Sequence, residues 1–100
     1  MTTLSDAARA ALAACYATRG KHRGQLLARA PASQTLAYAA WQGAMLACNP
    51  FKASIAGLIF MTAEQRAIAD EVTAFFEAMP RAERIAAERN RAALEAWGVW

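Results

Sequence analysis

One hundred residues, 57% of them apolar and many of those alanine, suffice for one domain with a modest core. The net charge of +3 and pI near 9.3 favour anionic partners only mildly, too little to assign nucleic-acid binding by charge alone. Scarce Gly and Pro and few β-branched runs exclude a sheet protein. The expected fold class is all-α: a small single-domain helical bundle of four to five helices with a buried central apolar helix pair.

The first helix is expected from Ser5 to Arg19. Thr3 or Ser5 can cap it, Asp6 suits the positive end of its dipole, and Leu4, Ala8, Ala11, Leu12, Cys15 and Tyr16 share one face. Gly20 suits the position just past its end. Lys21, His22 and Arg23, with Arg19 and Arg29 nearby, make the densest basic cluster in the chain. A solvated connection accounts for such a run, and its functional counterpart is a patch for phosphate or an acidic protein surface. Leu26 and Leu27 predict a short helix that Pro31 ends.

From Ser33 to Met61 the only ionised side chain is Lys52, and the stretch reads as the hydrophobic centre of the bundle. A helix capped by Ser33 should run to about Cys48. Tyr38, Trp41, Met45 and Cys48 form one stripe and Leu36, Ala40, Ala44 and Ala47 another, so burial on several sides is expected. Gly43 and its alanine neighbours allow another backbone to approach closely. Asn49-Pro50 breaks the helix, and FKASIAGLIFM resumes as a short apolar helix, with Phe51 expected to be buried in the turn. Gln42, Asn49, Pro50 and Lys52 interrupt the run, which together with a mean hydropathy of +0.12 argues against a membrane span.

Thr62 and Gln65 fit a capping box, with Glu64 at the favourable end of the dipole. The helix they open should turn Ile68, Val72, Phe75, Phe76 and Met79 inward and Arg66, Asp70, Glu71 and Glu77 outward. After Pro80 one last helix is expected, with Ile85, Ala92, Ala96 and Trp97 as a thin apolar stripe. Arg84–Glu88 and Arg91–Glu95 are its i,i+4 pairs, and Gly98 can cap its end. Arg81 and Arg84 stand at its N-terminus, against the dipole.

Catalytic chemistry is sparse. His22 is the single histidine, Cys15 and Cys48 sit on apolar faces where thiols are inert, and GxGxxG, P-loop, HExxH and CxxC motifs are absent. No catalytic residue, metal or cofactor is assigned. The opening MTTLSDAARA lacks the pattern of a signal peptide, so a cytoplasmic protein with two reduced thiols is expected. What is left is binding: a small non-catalytic interaction module, of the kind carried by phages and mobile elements, that regulates or inhibits a partner protein and can form a homodimer. The expected contact residues are Arg81, Arg84, Arg89 and Arg91 with Trp97 and Trp100. The alternative is nucleic-acid binding through Arg19, Lys21, Arg23, Arg29, Arg84 and Arg91, against which Glu83, Glu88 and Glu95 weigh.

Overall fold

A computed structural model describes residues 4–18 and 23–97. Among them are seven α-helices and two short 3-10 turns, Ala32–Gln34 and Pro50–Lys52, and no strand. Helix α1 (Asp6–Ala17) is capped by the Ser5 hydroxyl, which accepts the Ala8 amide at 3.1 Å. It stops short of Arg19 because Thr18 is already extended, with ψ of 100°; Gly20 lies outside the described residues. Helix α2 (Arg23–Ala28) buries Leu27. Helix α3 (Leu36–Cys48) is capped by Thr35, which accepts the Tyr38 amide at 3.3 Å; Ser33 sits in the preceding 3-10 turn instead. Helices α4 (Ile55–Ile59) and α5 (Ala63–Glu77) follow, and α5 opens with the expected capping box, both of its bonds at 3.1 Å.

The centre of the molecule is α3 crossed against α5. Ala39, Ala40 and Ala69 have no solvent exposure, and α5 contributes Ile68, Val72, Phe75 and Phe76, the two Phe rings meeting edge-on at 5.4 Å. At Gly43 the helices approach so closely that a Cβ would collide with the Ala69 carbonyl. The Thr73 hydroxyl lies 3.1 Å from the Gly43 carbonyl and 2.8 Å from that of Ala69, so it bridges the crossing. Onto this pair α1 lays Leu4, Ala8, Ala11, Leu12 and Cys15. Glu71, expected to face outward, is half-buried and accepts the Ser5 amide at 2.5 Å and its hydroxyl at 2.9 Å. It thereby fastens the start of α1 to α5.

The last helix is two helices, α6 (Arg81–Arg89) and α7 (Arg91–Trp97). Asn90 breaks the run by turning extended, with φ of −147°, and its side-chain oxygen accepts the Ala92 amide at 3.0 Å. The break re-aims the apolar face. Ala87 and Leu94 are its buried anchors, Ile85 is half-buried and Ala92 is exposed. The expected Arg84–Glu88 pair does not form. Glu88 accepts instead from Arg23 at 2.5 Å, while Arg84 donates to the carbonyls of Ala47 at 3.0 Å, Glu77 at 3.3 Å and Met79 at 3.1 Å. Those carbonyls lie at and just past the C-terminal ends of α3 and α5, which need donors. This explains a cation at the N-terminus of α6: it serves the negative ends of two other helices. The Arg91–Glu95 pair does form, at 3.5 Å.

Candidate interaction surface

Beyond Pro50 the chain departs most from expectation. The run from Pro50 to Phe60 is a strap across the outside of α3, and four of its five large apolar side chains point to solvent, Leu58 being half-buried. Phe51 is 99% exposed, Phe60 83%, Ile55 75% and Ile59 69%, so the buried Phe51 expected from sequence is overturned.

Local chemistry explains the reversal. Gln42, with no solvent exposure, reaches out of α3 and clasps Ser54. Its amide donates to the Ser54 carbonyl at 3.0 Å and its oxygen accepts the Ser54 amide at 2.9 Å. The same amide nitrogen donates to the Tyr38 hydroxyl at 2.9 Å. Ser54 then caps α4, its hydroxyl accepting the Gly57 amide at 3.0 Å. Gly57 turns toward the core, where a Cβ would collide with the Tyr38 hydroxyl and with Gln42. Ile55 and Ile59, one turn apart, share the opposite face of α4. The strap is therefore anchored by polar bonds and a glycine, and its greasy side is left over.

Two clefts flank it. The larger, about 1210 Å³, has Trp41 and Met45 from α3 and Tyr16 from α1 in its wall, together with Arg23, Lys52, Glu88, Arg89 and Arg91. The smaller, about 400 Å³, lies beside Phe51 and is lined by Cys48, Glu77, Arg81, Arg84 and Ile85 among others. The basic residues of the chain are thus unevenly placed. Of its eleven Lys and Arg, Arg23, Lys52, Arg81, Arg84, Arg89 and Arg91 line these clefts, against only Glu77 and Glu88 of its eight acids.

These cations differ in what they already hold. Arg23 is paired with Glu88 and lies 5.5 Å over the Tyr16 ring, and Arg84 is committed to helix carbonyls. Arg91 pairs with Glu95. Lys52, Arg81 and Arg89 are exposed, with no carboxylate in ion-pair reach among the described residues. Of the contact residues expected from sequence, Arg81, Arg89 and Arg91 are thus at the surface and beside the strap, and Arg84 is turned inward. Trp100, Arg19 and Lys21 lie outside the described residues, as does the Trp97 side chain; Arg29 is exposed but lines neither cleft. The strap itself was missed because its apolar run has the composition of a core. The signal for its exposure was a glycine at an inward position of α4.

Burial raises the thiols of Cys15 and Cys48 to about 11, so neither is a thiolate near neutral pH. Burial also raises the Tyr16 phenol, which donates to the Ala87 carbonyl. Among the described residues no cluster of three or more His, Cys, Asp or Glu could hold a metal ion, and no helix is long and apolar enough to cross a membrane. No protein-family model, curated protein or solved structure matches this chain.

Proposed function

We propose that this chain is a small non-catalytic docking module, with the strap and its flanking cations as the contact face. The observation that carries it is the exposure of Phe51, Ile55, Ile59 and Phe60 within ten residues of one another. Large apolar patches on small proteins mark binding sites, because leaving them in water forgoes the transfer energy that folding otherwise recovers. A role as regulator or inhibitor suits such a module, since a chain without chemistry of its own acts through what it holds or covers. Changing all four side chains to Ser should preserve helical circular dichroism and shift the thermal midpoint by no more than a few degrees, while abolishing capture of its partner. Loss of the fold in that variant would mean that the strap is core and would end the proposal.

Nucleic-acid binding is favoured by one observation, that Arg23, Lys52, Arg89 and Arg91 gather around a single cleft. Anisotropy with a generic DNA duplex across a salt series tests it. Steep weakening, with a log–log slope of about −0.9 per phosphate neutralised, supports this second reading, and absence of binding at low salt removes it.

A further inference from the structure

Docking through the strap leaves open what kind of surface receives it. Two features meet at the start of the strap, where Phe51 lines one cleft with Arg81 and Lys52 lines the other with Arg89, and both must be matched at once. The strap's apolar side chains stand out from the surface, Phe51 and Phe60 almost wholly exposed. Around the start of the strap six Lys and Arg line the clefts against two acids, with Lys52, Arg81 and Arg89 unpaired among the described residues.

A second copy of this chain meets the first requirement and fails the second, because only Glu77 and Glu88 line the clefts and Glu88 is already held by Arg23, so a like face offers the cations too few acids. A nucleic-acid duplex meets the second and leaves Phe51, Ile55, Ile59 and Phe60 in water. An anionic bilayer meets both: its acyl boundary takes protruding Phe and Ile side chains, while its head groups supply phosphates to the surrounding Arg and Lys. Resting on the docking reading above, we infer that the strap face binds the surface of an anionic membrane. Phe51, Ile55, Ile59 and Phe60 enter the head-group boundary, and Lys52, Arg81 and Arg89 engage lipid phosphates. Nothing spans the bilayer in this arrangement; the protein lies on it.

The geometry of anchoring fits that use. The polar clasp of Gln42 on Ser54 and the seat of Gly57 on Tyr38 hold the strap from beneath, so its apolar side can enter lipid without unpacking the core. Arg84 stays with its helix carbonyls and takes no part.

Co-sedimentation of the full chain with phosphatidylcholine vesicles, with and without phosphatidylglycerol, tests the inference. Binding should appear with phosphatidylglycerol, fall when salt is raised to about 0.5 M, and drop by roughly tenfold or more in F51S/F60S and in I55S/I59S. The charge variant R81E/R89E should lose binding to the same vesicles while keeping its circular dichroism. No sedimentation with phosphatidylglycerol vesicles overturns the inference, and so does binding that the Ser variants leave unchanged, which would be charge attraction alone. Wild-type and Ser-variant proteins are also compared for capture of an acidic protein from lysate. A captured protein lost in the Ser variants, without vesicle binding, sinks the membrane inference and spares the docking reading. Identical behaviour of both proteins in both assays sinks the two together.

Discussion

Gln42 is a wholly buried polar side chain that makes three hydrogen bonds, to the Tyr38 hydroxyl and to both backbone groups of Ser54. Replacing it with Ala leaves those groups to find water in a partly closed space, at an expected cost of about 1–3 kcal/mol. The loss should be local, read as faster amide exchange at Ser54 and Gly57 ahead of the α5 amides. Arg84→Ala removes three donations to helix-end carbonyls and should lower stability by about 2–3 kcal/mol by denaturant unfolding, with Arg84→Lys restoring only part. What could be read from sequence at this scale was whatever closes within a few residues. The Thr62–Gln65 box was legible because both partners sit in one turn. The cation misplaced at the start of α6 was legible only as a conflict, since the carbonyls that resolve it belong to other helices.

At the scale of helices, periodicity located α1, α3 and α5 to within two or three residues, because their apolar faces are packed and the pattern reports packing. It placed a short helix at α4 without showing which side is covered, and it missed the α6–α7 break. An apolar run does not say which side of a helix is covered, and at α4 the covering residue is a glycine. At Asn90 a side chain that bonds its own backbone offers the chain an alternative to the helix. Two glycine substitutions separate these elements. Gly43→Ala must push α3 from α5 at the Ala69 carbonyl and should cost about 1–3 kcal/mol of global stability, despite roughly 1 kcal/mol of added helix propensity. Gly57→Ala meets the Tyr38 hydroxyl and Gln42, and should instead loosen α4 alone, visible as exchange confined to the strap.

For the whole molecule, composition settled the all-α class because neither face of any segment alternates as a strand would. The gathering of cations around the start of the strap was not legible, since Arg23, Lys52, Arg81 and Arg89 come from three different elements and only the fold lines the two clefts with them. Global stability should depend on alkaline pH through the buried thiols. Cys15 and Cys48 ionise in the unfolded chain near 9.0 and in the folded protein near 11, so above pH 9 the unfolded state releases protons first. Stability is therefore complete below pH 9 and falls as pH rises toward 11, by on the order of 2 kcal/mol for Cys15. Replacing Cys15 with Ala should flatten that slope in a pH series of thermal midpoints.

The glycine seat of the strap also bears on how this protein can vary. Along α3 almost every position is occupied to contact, and a larger residue at Ala39, Ala40 or Gly43 has nowhere to go. Along the strap the reverse holds: Phe51, Ile55, Ile59 and Phe60 touch so little of the interior that they are free to change without endangering the fold. The side chains proposed for recognition and those that hold the fold are thus separate letters of the chain. A library randomised at those four positions should yield mostly folded proteins with differing binding preferences, whereas one randomised along α3 should yield mostly unfolded ones.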